Sequence, residues 1–464
     1  TFLFSKAGDY CNSLNIKYYD LNDNLISDAN FTPDNYKYVC NNIVENYKKL
    51  VITFYSTNNP LRYLKLYKIL YGAEKVFEGD NLIKADILEE VDLLSSELSI
   101  NTLDFTVYSA DDEFNIINPK GLYSLLQQRQ KLQVTEAIIN ENKEKDMGTF
   151  YLDTWLNEKD KTMKIGAIDL IGVIDKTDFN GGIYTNITFE NLVKEIMDSV
   201  NLTEDEYEIQ EDLKNITLTG YLPICSHRAA LQQVVFAVGA IADCSRSSKI
   251  KIYTIENSEN HSIIEKTNIF QGTKKIEQNE LVTGVSIIAH NYSKSNQVEE
   301  VYKGELESGT TRIQFNDPVC NLTCNGGTII ESNCNYAIVS CSASKEVIIS
   351  GNKYIDNQQI YMVEIESLST SQKQNTLKIE SAYLVNKKNA TIIAKRILEY
   401  YQKTYKTSFD MILKDEILSE DVEIEGDFEQ KMLGHVTKLD IDLTGGFLAN
   451  AELNARVKEE SNNG

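Results

Sequence analysis

The chain has 464 residues, and its 46 basic and 69 acidic side chains leave a formal charge of −23. With 42% hydrophobic and 25% charged residues it has globular composition, and its length corresponds to about three domains. The acidity argues against a protein that grips nucleic-acid phosphates or docks on an anionic membrane face. The longest apolar stretch, Val234–Ala242, falls short of the roughly 18 residues of a membrane span. No signal peptide is visible, and a start at Thr1 rather than Met leads us to expect a fragment or a chain without its native start.

Residues 1–73 read as all-β. A strand over 14–19 runs into Asp20-Leu21-Asn22-Asp23-Asn24 and then Leu25-Ile26, which is a hairpin. A calcium loop is the sharper reading of that Asp/Asn cluster, but the Gly and closing Glu of an EF-hand are missing. Strands follow over 50–55 and 62–69, with a loop at 56–60 between them. In 74–180 strands are predicted over 85–92, 102–109, 131–137, 148–155 and 162–169, a spacing that suggests a small barrel or sandwich. The 181–255 segment turns to mixed α/β. Thr188 caps a helix with Leu192, Val193, Ile196 and Val200 on one face. Ser226 caps a second, with Ala230, Leu231, Val234, Val235 and Val238 inward, and 249–253 is a strand. Residues 256–388 are again β-rich, with strands at 284–291, 337–341 and 346–350. A helix over 389–404 carries Ile392, Ile393, Arg396, Ile397 and Tyr400 at helical spacing. Three strands close the chain, at 421–425, 434–443 and 447–457, broken at Gly426 and Gly445-Gly446.

Eight cysteines in 464 residues are too sparse for a disulfide-stapled scaffold. Four of them, Cys320, Cys324, Cys334 and Cys341, cluster. A zinc site or a pair of disulfides is one reading. The spacing lacks the usual short pairs, which favours small buried hydrophobes on strands. The four histidines, His227, His261, His290 and His435, lie on separate elements. His227 and Arg228 open a helix, and a surface or cap role suits that histidine better than catalysis. Asp243, Cys244 and Arg246 sit one helix length away. No zinc-protease, nucleotide-loop, dinucleotide or nucleophile-elbow motif is present, so we expect no enzyme, no cofactor and no metal.

Three segments together resemble a known family. They are Gly148–Trp155 with Ala167–Asp175 and Phe179–Gly182, then Gly220–Gln233 up to Gly239-Ala240, then the closing helix with Leu439–Phe447. The series is similar to phage tail or baseplate hub proteins of Gram-positive prophages and phage-tail-like bacteriocins, which resemble the base of the type VI secretion spike protein. The resemblance covers about 74–255 and 389–457. It implies a mainly β fold with α+β parts: two hub-type β-barrel domains, a bracing α/β segment and β-sandwich decorations. Barrel one would span 74–180, the brace 181–255, the start of barrel two 256–300, an insertion 301–370, and the helix and remaining strands of barrel two 371–464. Strands near 275–295, 375–385 and 420–457 would build barrel two.

The resemblance further implies a homotrimer whose six barrels form a ring. A tail tube protein would sit above it and a spike or tail-tip protein below, with other baseplate proteins around. A tape-measure protein or DNA would pass through the channel, and the location would be a virion or extracellular tail-like particle. Residues 1–73 look like part of a discoidin or carbohydrate-binding β-sandwich. There Tyr55, Asn58 and Arg62 are the candidate contacts to a cell-surface glycan, against a decorating domain that only packs on its neighbours.

Overall fold

The computed structural model describes residues 2–5, 8–40, 42, 44, 46–59, 61–69, 76–108, 129–138, 143–159, 161–255, 262–366, 373–403, 405–414, 416–425, 430–444 and 446–458. His261, Gly426, Gly445 and residues 462–464 lie outside them. The fold is mainly β, with four α-helices among the described residues, and divides into two units, residues 1–79 and 80–464.

The first unit contains β1 (Phe2–Phe4), β2 (Cys11–Tyr19), β3 (Leu25–Phe31), β4 (Lys37–Tyr38), β5 (Lys49–Thr57) and β6 (Leu66–Ile69). They form two three-stranded sheets, in the orders β4-β1-β6 and β3-β2-β5. Phe2, Phe4, Cys11, Leu14, Ile16 and Tyr18 fill the shared core. The β2–β3 turn closes because the Asp20 carboxylate accepts the backbone N–H of Asn22 and of Asn24, both at 2.8 Å. The expected strand over 62–69 is a strand only from Leu66. Its first part is instead a turn, with the Arg62 N–H bonded to the Asn59 carbonyl at 3.1 Å.

The second unit opens with β7 (Leu82–Glu90), β8 (Thr102–Tyr108), β9 (Lys131–Ile138), β10 (Lys143–Lys159) and β11 (Thr162–Ile168). Mixed α/β structure follows: α1 (Leu170–Ile174), β12 (Asp178–Phe179), then, in the segment expected as a brace, β13 (Gly182–Thr188), α2 (Phe189–Ser199), β14 (Tyr207–Ile209), β15 (Thr217–Leu222), β16 (Cys225–Ser226), α3 (His227–Val238), β17 (Ile241–Asp243) and β18 (Ile250–Tyr253). Next come β19 (Ser262–Ile264), β20 (Lys275–Gln278), β21 (Gly284–Ala289), β22 (Tyr292–Leu306), β23 (Gly309–Gln314), β24 (Val319–Asn325), β25 (Thr328–Ser332), β26 (Tyr336–Cys341), β27 (Lys345–Asp356), β28 (Gln359–Glu364) and β29 (Thr376–Ile379). The last elements are α4 (Ala390–Tyr401), β30 (Tyr405–Ile412), β31 (Asp421–Glu425), β32 (Lys431–Asp442) and β33 (Leu448–Val457).

The strands expected in two separate barrels share one eleven-stranded sheet. Its path is β20-β30-β33-β32-β7-β8-β11-β10-β9, with β31 and β19 branching from β32. No ladder among the described residues closes it into a barrel. β32 links the two sets of strands: it pairs with β31 over residues 431–435 and with β7 over 438–442. A register shift between Val436 and Lys438, at the changeover, re-aims the strand. Two expected barrel-two strands also lie elsewhere. β21 and β29 form a separate sheet in the order β28-β21-β29, packed on α4. The insertion is a sandwich of two three-stranded sheets, β22-β27-β24 and β23-β26-β25, around Leu306, Ile313, Val339, Val347 and Ile349.

The helices form where their caps predict. Thr188 accepts the Asn191 N–H at 3.4 Å, and Leu192, Val193 and Ile196 are buried. Ser226 accepts the Ala229 N–H at 3.2 Å, and α3 ends at Gly239 in the left-handed region, φ 75°. In α4 the helical spacing holds, but Ile392 faces solvent while Arg396 points inward to the Leu93 carbonyl at 2.6 Å.

α1, which the periodicity did not predict, is capped by the buried Asp169. Its carboxylate accepts the N–H of Gly172 and of Asn101, both at 2.9 Å. Burial pushes the Asp169 carboxyl up to about 7, against the pull of those donors. The native state therefore holds this proton in a range where the unfolded chain has lost it. Its contribution to stability is full below the ordinary Asp range near 4 and is lost as pH rises through about 7. Asp169→Asn keeps the cap acceptor and removes the titration. Chemical denaturation from pH 4 to pH 8 should show wild-type stability falling relative to the variant as pH rises. A constant difference would refute the assignment.

Candidate functional site

Arg228, Gln232 and Asp175 meet other distant residues at one joint. Residues 91–101, between β7 and β8, form a strap with no strand or helix of its own. Side chains from far along the chain satisfy its backbone. Arg228 Nε donates to the Leu98 carbonyl at 2.7 Å, and Gln232 Nε2 donates to the Ser95 carbonyl at 2.6 Å. The same Arg228 pairs with Glu97 at 2.7 Å and Asp175 at 3.4 Å. Asn101 accepts the Glu90 N–H at 2.9 Å and donates to Ser245 Oγ at 3.1 Å, and Ser245 donates to Asp243 at 2.6 Å. Beside it Arg246 clamps the buried Glu89 with contacts of 3.2 and 3.3 Å. Asp243 and Arg246 thus serve the joint.

A second joint holds the insertion on the brace. Buried Asn335 donates to the carbonyls of Asn180 (2.8 Å) and Leu222 (3.0 Å) and accepts from the Tyr221 hydroxyl (2.8 Å). Arg312 reaches Asn180 Oδ1 at 2.6 Å. Gly181 has φ +64°, and a Cβ there would lie 2.1 Å from the Leu222 carbonyl oxygen, so only glycine admits this approach.

The eleven-stranded sheet has one apolar and one wet face. Ile87, Leu103, Phe105, Leu439, Ile441, Ala451 and Phe409 are buried on the first. On the second, alternation brings carboxylates into direct register: Asp442 opposite Asp86, and Asp86 opposite Asp104. The next row runs Asp440, Asn450, Asp410. Lys84 bonds Asp86 at 2.5 Å, and this hydrogen bond, with Asp440 and Asp442 nearby, raises the lysine pKa. Facing like charges destabilise a sheet, so folding alone gives no reason for this row.

The sequence-nominated residues part company. Tyr55 is exposed on β5. Asn58 is part-buried and turned inward, its amide donating to the Gly8 carbonyl and its backbone N–H to Tyr10. Arg62 contacts the buried Asp9 at 2.8 Å, with Lys65 on the other oxygen at 3.4 Å. Asn58 and Arg62 are thus anchors of the 58–65 segment, and they hold out Leu61 and Tyr63, 93% and 90% exposed. The sequence reading missed those two, although a turn between strands carrying Leu and Tyr was the available signal.

His227 is buried rather than at the surface, with Nε2 2.8 Å from Ser199 Oγ and Nδ1 2.8 Å from the Thr177 carbonyl. Burial and Lys403 push His435 down to about 4. His290 is buried against Asp356 at 2.7 Å. Cys341 and Cys324 pack in the insertion core, while Cys320 and Cys334 line a cleft; all four are free thiols.

No family model matches the chain, and neither does any curated protein. Solved structures to which the chain is similar include the tail protein from Neisseria meningitidis MC58. It has 10% identity and a TM-score of 0.48, with 82% of this chain and 93% of that one covered. The prophage MuSo2 43 kDa tail protein from Shewanella oneidensis shares 11% identity at a TM-score of 0.46, covering 82% and 95%. The E. coli c3393 protein, a type VI secretion component described as similar to T4 tail proteins gp27 and gp5, shares 8% at a TM-score of 0.39, covering 82% and 74%.

The insertion joint makes a direct prediction. Asn335→Ala removes three hydrogen bonds, to the Asn180 and Leu222 carbonyls and from the Tyr221 hydroxyl, a cost of about 2–4 kcal/mol. Hydrogen exchange should rise in β23 and β26 while β7, β8 and β33 keep their protection. Uniform loosening of the whole unit would contradict a local joint.

Proposed function

We propose that the chain is a structural protein of a phage tail or phage-tail-like particle. It acts as the baseplate or tail-tip hub, a trimeric ring joining the tail tube to a spike or tip. The observation that carries this reading is the wet face of the eleven-stranded sheet. Its facing carboxylates Asp442, Asp86 and Asp104 cost stability, and a channel wall that repels phosphates gives them a use. Among the described residues β20 and β9 have no outer neighbour, and edge strands of this kind pair with a neighbouring copy to close a ring. Arg228, Gln232 and Asp175, which fall in segments that resemble the family, hold the strap beside this sheet.

On this reading the chain is not an enzyme and takes no cofactor. Its partners are two further copies, a tail tube protein, a spike or tip protein and other baseplate proteins, with DNA or a tape-measure protein in the channel. Its place is the virion or an extracellular tail-like particle. A second reading, a receptor- or glycan-binding tip protein, has the exposed Tyr55, Leu61 and Tyr63 in its favour.

Imaging the purified chain at assembly concentration, and the intact particle, should show a threefold ring with a central channel. A monodisperse monomer together with a particle lacking the ring sinks the proposal. The triple variant Asp86→Asn, Asp104→Asn, Asp442→Asn should melt at or above the wild-type temperature, since it relieves repulsion of roughly 1 kcal/mol between the facing carboxylates. It should nevertheless lower delivery by the assembled particle. Unchanged delivery would remove the channel role of this face.

A further inference from the structure

An open cleft of about 440 Å³ lies at the joint between the 181–255 segment and the insertion, within the usual range for small-ligand sites and placed, as such sites often are, between two substructures. One wall is Gly181–Tyr184 with Glu195 of α2; the other comes from β24, the end of β25 and Tyr354 of β27. The Asn335 and Gly181 contacts fix the two walls against each other, so the cleft is pre-formed. Gly182 has no side chain to fill it.

The lining has a definite chemistry. Tyr184, Tyr354, Val319 and Leu322 give ring and aliphatic surface at the floor. Glu195, Asn321 and Ser332 stand exposed at the rim. The Tyr184 hydroxyl already donates to Glu195 at 2.9 Å, which leaves the second carboxylate oxygen as an acceptor. No Lys, Arg or His lines the cleft, so nothing offsets an anionic ligand. Apolar floor and neutral or acceptor-rich rim match a molecule with one C–H face and hydroxyl donors around its edge.

We infer that this cleft binds a neutral saccharide, one or two sugar units in size, with its C–H face on the tyrosines and its hydroxyls toward Glu195, Asn321 and Ser332. The assignment does not depend on ring formation and is separate from the exposed residues of the first unit. Cys320 and Cys334 lie in the cleft wall, whereas Cys324 does not, so the thiols report occupancy in the unaltered protein.

The test uses the full chain. Iodoacetamide labelling is followed by mass spectrometry at each cysteine with glucose, N-acetylglucosamine or their β1,4-linked dimers present, and with inorganic phosphate and methylammonium as charged comparators. Titration calorimetry runs beside it. Expected is slower labelling of Cys320 and Cys334 but not Cys324 with at least one saccharide, at a roughly millimolar or tighter Kd. Phosphate and methylammonium should have no effect. Glu195→Gln should weaken binding by roughly tenfold through loss of a charged acceptor. Ser332→Phe, at an exposed strand end, should block the cleft and abolish protection with the melting temperature kept. Tyr63→Ala should change nothing. The inference is overturned if every saccharide leaves labelling and heat unchanged, if a charged comparator protects equally, or if Ser332→Phe binds like wild type.

Discussion

The buried backbone of residues 91–101 is the constraint on which the second unit turns. A strap without a ladder leaves carbonyls and N–H groups that water cannot reach, and each costs about 1–3 kcal/mol if unmet. Here Asp92 accepts the N–H groups of Leu94, Ser96 and Glu97 from within the strap, and Arg228, Gln232, Arg396 and Asp169, residues 68 to about 300 positions away, meet others. The sheet and the brace therefore cannot reach their native packing one without the other. The same arginine that caps the strap also neutralises Glu97 and Asp175, which lets an acidic chain bring these segments together.

Sharing β32 between two groups of strands has a second consequence. A strand bent at the 436–438 shift belongs to both halves, so the alternation that buries Leu439 and Ile441 also sets where Asp440 and Asp442 face. One strand's register thus decides both the core and the charge row across β32, β7 and β8. Moving it by one residue would bury two aspartates.

Much of this was legible in single segments. The caps at Thr188 and Ser226, the alternation of Thr102–Tyr108 and the Asp20 turn each rest on neighbours in sequence, and the structure has them. What stayed hidden rests on partners far apart. Nothing in the 431–442 sequence says that one strand serves two groups, so the joining of the two expected strand sets into one sheet was not legible. Arg396 and Ile392 share a helical pattern that ranks isoleucine inward, yet the unpaired Leu93 carbonyl calls the arginine in. Burial lowers that guanidinium to about 10, the mark of a cation held for its hydrogen bond rather than its charge. Among the nominated glycan contacts, Asn58 and Arg62 were polar residues in a loop, and buried Asp9 and Gly8 had first claim on them.

Charge also limits how copies of this chain can meet. At −23 each, like chains repel, and near physiological salt that repulsion is screened beyond about 8 Å. Any association must then come from short-range terms: backbone bonds at open edges and apolar contact. Such terms hardly change with salt, while the repulsion falls. A ring of the proposed kind would therefore tighten as ionic strength rises, the opposite of an assembly held by opposite charges. The row of facing aspartates is tolerable on the same grounds. At the wet face its repulsion is screened by solvent and partly offset by Lys84, and the buried face beneath it keeps the register that repulsion alone would not.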